Sequence, residues 1–305
     1  MQEPERSNRM ALTINTNISS LVAQRNLTNA TQSLNQAIER MTTGYKINHA
    51  SDNAAGYSIA RNWETQLGSL DVAADNAATG ADMLTTLEDT YSLLTDHLQR
   101  VRDLTEQAAN GTYGTQSLKA IQSEITARLE EVNRISKNCE FNGLKMMTGD
   151  MSDISLQVGL YGDANSQIVL KDELFDDASV EELFDEYGGI TGATVAKVSQ
   201  ECAGFKDDGT IDGSKATAML GVIDKVINQI SDRVTTLGAA QNRIDSAIES
   251  IAVQSENITS SLSTLRDADI AEESSNYIQA QILHQAAATL LSTANQTPSI
   301  ALNLL

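Results

Sequence analysis

Between residues 220 and 265, apolar residues recur at spacings that alternate between three and four, which is the clearest pattern in the chain. Twelve of the fourteen positions are aliphatic, as expected for the a and d positions of a heptad repeat. The positions are Leu220, Ile223, Ile227, Ile230, Val234, Leu237, Gln241, Ile244, Ile248, Ile251, Ser255, Ile258, Leu262 and Leu265. The pattern predicts a coiled-coil helix roughly 70 Å long. We interpret its polar positions, Gln241 and Ser255, as register control or tolerated defects.

Two further apolar stripes at helical spacing precede this repeat. The first covers residues 84–108 and stops at Asn110-Gly111, a pair that ends helices and forms turns. The second covers residues 118–135. Because the connection between them is short and contains glycine, we expect the two helices to run antiparallel. The sequence therefore predicts three long helices that share one core.

After residue 143 the apolar period changes to two. Apolar and polar residues alternate over residues 154–160, and residues 167–170 are again rich in strand formers, so we predict a β-hairpin. Residues 163–212 hold thirteen acidic residues against three lysines. This charge predicts a solvent-facing insert.

Both ends of the chain are apolar and almost uncharged. Between Met10 and Glu39 the only charge is Arg25, and residues 274–305 carry none. Polar residues interrupt the C-terminal stretch at every turn, which argues against a membrane span. Apolar residues recur at helical spacing at both ends, and we expect both ends to be buried against partner helices.

Composition narrows the class of protein. The 305 residues are 41% hydrophobic but only 4% aromatic, which favours long thin helices over bulky globular cores. The net charge of -20, without clusters of lysine or arginine, argues against a nucleic-acid partner. Cys139 and Cys202 match no zinc spacing, and they are either free thiols or a disulfide that the sequence cannot place. Residues 1–10 lack the apolar core of a signal peptide, and we interpret them as a non-native or upstream leader before a start at Met10.

No catalytic chemistry emerges from the sequence. The three histidines, His49, His97 and His284, stand outside any metalloprotease motif, and residues 209–215 have serine and lysine in the wrong order for a phosphate-binding loop. The acidic pairs between residues 176 and 186 lack the glycine of a calcium-binding loop. No serine lies in a nucleophile elbow. We therefore expect no enzyme and no catalytic, cofactor or metal site.

Ordered motifs on both flanks of the chain resemble bacterial flagellin, the subunit of the flagellar filament. They include Asp52-Asn53-Ala54-Ala55-Gly56, in which Asn53 replaces the second aspartate usual in the family. The motifs lie at residues 14–17, 38–44, 46–48, 52–56, 98–104, 121–125 and 141–143, then at 238–243, 280–283 and 295–298. The resemblance spans about residues 11–160 and 216–305 and leaves the acidic insert unmatched.

The resemblance implies a mainly α fold, a long antiparallel helical coiled-coil rod whose N- and C-terminal helices pair, with a β-hairpin region and a small central insert. Residues 11–54 and 266–305 would form a terminal coiled coil lining the filament core. Residues 55–185 and 216–265 would form the helical rod, and residues 186–215 a reduced outer variable insert.

The resemblance also implies a self-assembling structural protein of the extracellular flagellum, which serves motility and is exported by the flagellar type III apparatus. The implied partners are further copies of the chain, an export chaperone, a cap protein and junction proteins, with neither nucleic acid nor membrane among them. The apolar residues expected to drive polymerisation are Ile14, Ile18, Leu21, Leu27, Leu34, Ile282, Leu283, Leu290 and Leu291.

A receptor site is implied as well. In flagellins that Toll-like receptor 5 recognises, an Arg and a Leu on one rod helix and a Glu on the next contact the receptor, and these match Arg100, Leu104 and Glu124. The alternative for these three residues is rod packing or simple solvent exposure. For the whole chain, the alternatives are a hook–filament junction protein and a secreted coiled-coil adhesin.

Overall fold

The computed structural model describes residues 16–206 and 210–302, with side chains described as far as residue 296. The expected leader, residues 1–10, and the expected polymerisation residue Ile14 lie outside the described residues. The chain divides into two compact units. We call residues 1–65 with 257–305 the terminal unit, and residues 66–256 the central unit.

Long helices dominate the described residues, which confirms the predicted mainly α fold. The helices are α1 Ile18–Thr43, α2 Ala54–Ala109, α3 Thr115–Asn138, α4 Val180–Glu182, α5 Val195–Cys202, α6 Gly213–Arg266 and α7 Ile270–Leu302. The strands are β1 Glu140–Phe141, β2 Leu144–Lys145, β3 Ile154–Gln157 and β4 Gln167–Leu170. β1 pairs with β2 and β3 with β4, both antiparallel. Helices α2 and α6 reach 56 and 54 residues because neither contains the proline that would break them.

Helices α2, α3 and α6 supply most of the core of the central unit. The predicted apolar stripes of α2 and α3 are buried as expected. Their fully or nearly fully buried side chains are Leu84, Leu87, Tyr91, Leu94, Leu98, Val101, Leu118, Ile125, Leu129 and Val132. Arg100 on α2 meets Glu124 on α3, whereas the earlier Thr90 meets the later Cys139. The two helices therefore run antiparallel, as predicted.

The buried face of α6 is wider than the predicted heptad seam. Every second predicted position from Ile223 to Ile251 is buried, whereas Ile227 and Val234 are only half-buried, as are Ile258 and Leu265 further along. The additional buried residues are Ala216, Met219, Val226, Arg233 and Ala240. A two-helix coiled coil buries a narrow a/d stripe, but α6 packs against several elements at once, so its apolar face shifts and broadens.

The β3–β4 hairpin is confirmed, but its first strand is shorter than predicted. Pairing ends at Gln157, whose side-chain amide donates to the carbonyls of Gly159 (2.7 Å) and Tyr161 (2.8 Å). These bonds fold residues 158–162 into a turn. The N–H of Val158 still donates to the carbonyl of Ser166 (2.9 Å), and the alternation of the sequence then continues into the turn.

The prediction of a solvent-facing insert at residues 163–212 is wrong for its apolar residues. Twelve of them belong to the hydrophobic core of the central unit and are at most 5% exposed. They are Leu170, Leu174, Phe175, Ala178, Val180, Leu183, Phe184, Ala193, Val198, Cys202, Ala203 and Phe205. The acidic residues are interspersed among these apolar ones, so the segment packs on one side and is solvated on the other.

Arg233, on α6, connects this acidic segment to the helix through hydrogen bonds. Its side chain is only 4% exposed, and its Nη1 donates to the carbonyls of Asp176 and Asp177, both at 3.2 Å. Its Nη2 donates to the Tyr187 hydroxyl (3.4 Å), and the guanidinium lies over the Tyr187 ring, 5.5 Å from the centroid. A buried cation is stable only where such acceptors surround it. Nothing in the sequence around Arg233 marks it as a buried residue.

Cys139 and Cys202 are free, buried thiols. Cys139 Sγ lies 3.5 Å from the Thr90 hydroxyl, and Cys202 lies within hydrogen-bond reach of Thr105. Since Thr90 and Thr105 are fifteen residues apart on α2, the two sulfurs are about 20 Å apart along the helix. A disulfide requires Cα atoms within about 7 Å, so the folded chain cannot form this one.

Replacing Arg233 should destabilise the central unit. We expect Arg233→Met to lower the free energy of unfolding by about 2–3 kcal/mol, because the carbonyls and the Tyr187 hydroxyl lose their donor. Urea denaturation followed by circular dichroism measures the change. Arg134→Met is the matched control, since its ion pair with Glu131 is exposed and should matter little. An equal loss in both variants would contradict this role for Arg233.

Both thiols should resist reagents until the chain unfolds. Burial raises the pKa of the Cys202 thiol to about 12 and also raises the pKa of the Cys139 thiol, so the reactive thiolate is scarce at pH 8. We expect negligible reaction with an aromatic disulfide reagent in buffer and complete reaction of both thiols in urea. Rapid labelling of either thiol in the folded chain would show that the surrounding core is open.

Candidate functional site

Helices α1 and α7 of the terminal unit pair along their length. Arg40 Nη1 lies 3.1 Å from Glu273 Oε1 near one end of the pair. Near the other end, the Asn17 side-chain amide donates to the carbonyl of Ala294 (2.7 Å), and the Ser20 hydroxyl donates to the Asn295 side-chain oxygen (2.6 Å). Early α1 residues therefore meet late α7 residues. The helices run antiparallel, as the predicted pairing of the two chain ends requires.

Alanines form the centre of this helix pair. The nearly fully buried apolar residues are Ala23, Ala30 and Ala37 on α1 and Ala280 and Ala287 on α7, each 4–8% exposed. On each helix they recur every seven residues, as seam positions of a coiled coil do. Side chains this small let two helices approach closely. None of these alanines is among the residues expected to drive polymerisation, and their heptad spacing in the sequence marks the contact within one chain.

Larger apolar side chains are left on the outside of the pair. We call them the terminal apolar surface. It comprises Ile18 (67% exposed), Leu21 (57%), Val22 (42%), Ile38 (43%), Ile278 (55%), Ile282 (60%), Leu283 (53%) and Leu290 (63%). Residues of α7 also line a shallow groove of about 370 Å³, namely Ser275, Ile278, Gln279, Ile282 and Leu283. Apolar side chains exposed together in this number mark an interaction surface.

The residues expected to drive polymerisation fall into two groups. Five lie on the terminal apolar surface: Ile18, Leu21, Ile282, Leu283 and Leu290. Three are half-buried beside the alanine seam: Leu27, Leu34 and Leu291. The second group belongs to the contact within the chain, and the first group is free to contact another molecule.

The C-terminal ends of α1 and α6 lie in contact within the terminal unit. The guanidinium of Arg266 forms an ion pair with Glu64 and stacks on the Tyr45 ring, 4.1 Å from the centroid. The N–H of Ala268 donates to the carbonyl of Gly44 (2.8 Å). Gly44 ends α1 with a φ of 75°, a conformation that favours glycine. These contacts fix where the helix pair begins.

Asn53 stands where the family pattern usually has aspartate, and it is compatible with the local structure. The Asn53 side chain accepts a hydrogen bond from the N–H of Gly56 (2.9 Å) and caps α2. Asparagine and aspartate are equally good caps. The Asp52 carboxylate accepts from the N–H groups of His49 (3.0 Å) and Asn48 (3.1 Å), and these bonds hold the pKa of Asp52 below its usual value.

The three residues of the implied receptor site do not share one environment. Arg100 donates from Nε (3.0 Å) and Nη2 (2.8 Å) to Glu124 Oε1, and both side chains are close to half exposed. Leu104 is only 2% exposed and packs in the core of the central unit. The expectation that Leu104 contacts a receptor directly is therefore wrong, because no surface of its side chain is free.

Among the described residues, no three His, Cys, Asp or Glu side chains are grouped so that they could hold a metal ion. None of the helices described combines the length and hydropathy that crossing a membrane requires.

Two family models match the chain. The model for the bacterial flagellin N-terminal helical region covers residues 14–152, and the model for the C-terminal helical region covers residues 220–305. Each match includes one helix of the antiparallel terminal pair. Neither covers residues 153–219, which include the β3–β4 hairpin and the acidic segment.

Curated relatives match over nearly the full chain. Polar flagellin F of Vibrio parahaemolyticus is 31% identical over 97% of this chain and 100% of its own length. The flagellin of Xenorhabdus nematophila is 35% identical over the same shares. Among solved structures, one described as a flagellar hook-associated protein from Vibrio parahaemolyticus has a TM-score of 0.58 and 14% identity, covering 71% of this chain and 100% of that one. At this identity the likeness concerns the fold alone.

Proposed function

This chain belongs to the bacterial flagellin family, whose members are structural subunits of the flagellar filament, and we propose that it polymerises through the terminal apolar surface. The observation that carries the proposal is the exposure of the eight large apolar side chains of the terminal apolar surface, which the rest of the described chain leaves uncovered. The filament is an extracellular appendage, so assembly takes place in water, where such exposure is unfavourable.

Covering the terminal apolar surface contributes favourably to the free energy of assembly. Complete burial of one large aliphatic side chain contributes about 1.5–3 kcal/mol. The eight side chains are each about half exposed, so covering them contributes on the order of 8 kcal/mol per subunit before the cost of association. Burial of the C-terminal part is not opposed by charge, because residues 274–305 carry none.

We propose that a neighbouring subunit meets this surface with a different part of itself. Contacts of this heterologous kind produce helical filaments when the rotation between subunits does not close a ring. We propose that residues 11–54 and 266–305 line the filament core. Residues 55–185 and 216–265 would surround it, with residues 186–215 on the outer side.

The remaining partners follow from the family and the uncharged ends. We propose that the chain leaves the cell unfolded through the flagellar type III apparatus, that an export chaperone covers the C-terminal helix, and that cap and junction proteins bind the growing and basal ends. A surface that polymerises in water needs such cover before export. The filament subunit is preferred over the junction protein because full-length relatives at 31–35% identity are flagellins.

Receptor recognition is a second proposal, and it rests on the implied match of Arg100 and Glu124. Both residues are accessible, and they lie side by side on α2 and α3. We propose that Toll-like receptor 5 contacts this pair, with Leu104 supporting α2 from within the core. An exposed ion pair is weak in water, so a receptor can exchange it for contacts of its own at little cost.

A charge on the terminal apolar surface should prevent assembly. We expect Leu283→Asp to raise the critical concentration for filament growth at least tenfold, because the carboxylate would have to lose its water. Sedimentation after seeding with sheared wild-type filaments measures it. Leu93→Asp is the control, since Leu93 on α2 is also 53% exposed but lies in the central unit. Equal effects of the two variants would contradict the proposed location of the surface.

Loss of either charge at the receptor pair should weaken receptor binding. We expect Arg100→Ala and Glu124→Ala each to raise the Kd for the receptor ectodomain about tenfold, measured by surface plasmon resonance. Arg134→Ala removes a comparable exposed ion pair elsewhere on α3 and should leave the Kd unchanged. Unchanged binding in both site variants would exclude this pair as the contact.

A further inference from the structure

Asparagine followed by glycine occurs twice in the chain, at Asn110-Gly111 and at Asn142-Gly143. This pair is prone to deamidation, in which the backbone nitrogen of the glycine attacks the Cγ atom of the asparagine side chain. Glycine has no Cβ to shield that nitrogen, and it leaves the backbone free to rotate. Both asparagines are exposed and both lie in the central unit. The sequence therefore marks two equal candidates, and the structure distinguishes them.

Asn110 follows the last residue of α2 in an open turn. The N–H of Gly111 donates no hydrogen bond to any group of the described chain, so its nitrogen is free to react. A Cβ atom added at Gly111 would have nothing within 4 Å. The hydrogen bonds that hold the turn are long, from the N–H of Asn110 to the Gln107 carbonyl (3.3 Å) and from the N–H of Tyr113 to the Asn110 carbonyl (3.4 Å). Rotation within Asn110 therefore breaks only weak contacts.

A hydrogen-bond donor already contacts the oxygen that gains charge in this reaction. The N–H of Thr112 donates to Oδ1 of Asn110 (3.3 Å). Attack on Cγ moves an electron pair of the C=O bond onto this oxygen, and a hydrogen bond stabilises the oxyanion that results. The turn thus supplies both an unshielded nucleophile and a donor for the developing charge.

Asn142 lies in a much more constrained turn. It is the first of the two residues that connect β1 and β2, and both Asn142 (φ 49°) and Gly143 (φ 83°) have the left-handed conformation of a type I′ turn. The pairing of Phe141 with Leu144 closes the turn. Among the described residues, no donor contacts the side-chain oxygen of Asn142. Rotation within Asn142 requires the hairpin to open first.

We propose that Asn110 is a site of spontaneous deamidation in the folded chain, and that the hairpin protects Asn142 from the same reaction. Hydroxide removes the N–H proton of Gly111, the nitrogen forms a bond to Cγ of Asn110, and the side-chain nitrogen leaves as ammonia after taking a proton from water. Water then opens the cyclic imide at either carbonyl, which gives aspartate or isoaspartate. The reaction requires only the folded central unit, so it does not depend on the proposed polymerisation.

The product changes the charge at the end of α2. Aspartate and isoaspartate are both negative, whereas the unpaired carbonyls at the C-terminal end of a helix favour a positive neighbour. Glu106, one turn earlier on α2, adds a like charge. Isoaspartate also lengthens the backbone of the turn by one carbon atom. The modification therefore weakens the connection between α2 and α3.

Mass spectrometry of tryptic peptides measures both sites in one sample. Trypsin releases Asn110 within residues 103–119 and Asn142 within residues 138–145, and chromatography separates the aspartate and isoaspartate forms of each peptide. The soluble full-length chain would be kept in mildly alkaline buffer, with a parallel sample in urea. We expect Asn110 to be modified about tenfold faster than Asn142 in the folded chain, and the two rates to converge in urea.

Two glycines of the same turn provide a variant and its matched control. Gly111→Ala shields the attacking nitrogen, and neither the φ of Gly111 nor the space around it opposes a side chain. We expect this variant to slow the modification of Asn110 severalfold. Gly114→Ala is equally compatible with the backbone and the surrounding space, but Gly114 does not adjoin Asn110, so the rate should stay unchanged. Circular dichroism before incubation checks that both variants are folded.

Four results would overturn the proposal. The first is modification of Asn142 in the folded chain as fast as that of Asn110, and the second is modification of Asn110 in urea alone. The third is the same ratio of the two rates in buffer and in urea, because the peptide sequences and not the fold would then cause the difference. The fourth is equal slowing by Gly111→Ala and Gly114→Ala, because the attacking nitrogen would then not be what the first variant shields.

Discussion

The described part of the chain leaves large apolar side chains of its own terminal helices uncovered, and this constraint organises the molecule. Helices α1 and α7 meet through alanines, which brings the helices close but leaves residues such as Leu21, Ile282 and Leu290 outside. The near absence of charge at both ends makes cover by another protein surface favourable and prolonged exposure to water unfavourable. The polymerisation proposed for the chain uses the side chains that this pairing leaves exposed.

The central unit satisfies the opposite requirement, because it buries its own core within one chain. Helices α2, α3 and α6 supply most of this core, and the acidic segment adds aromatic side chains such as Phe175 and Phe184. Arg233 bonds that segment to α6 through backbone carbonyls. The chain thus combines a self-sufficient unit with a unit whose outer surface requires neighbours, a division suited to a subunit that folds individually and functions collectively.

The periodic parts of this fold were predictable from sequence, and the exceptions have physical causes. The turn signal at Asn110-Gly111 placed the end of α2 correctly, because helix ends have local chemistry. Periodicity did not show how many neighbours surround α6, so the width of its buried face was missed. The high net charge of residues 163–212 predicted exposure to solvent, although apolar residues within this segment are buried in the core. The family motif pointed to Leu104, yet burial, which depends on distant elements, excludes its direct contact. Long-range polar pairs such as Arg40 with Glu273 have no local signature at all.

The central claim is that the α1–α7 pair drives assembly, and negative-stain electron microscopy tests it most directly. The chain starting at Met10 would be compared with the same chain lacking residues 270–305, after circular dichroism has shown that both retain helical structure. The account predicts long uniform filaments from the intact chain and none from the shortened one. Filaments from the shortened chain, or only monomers from the intact chain even with sheared filaments as seeds, would contradict it.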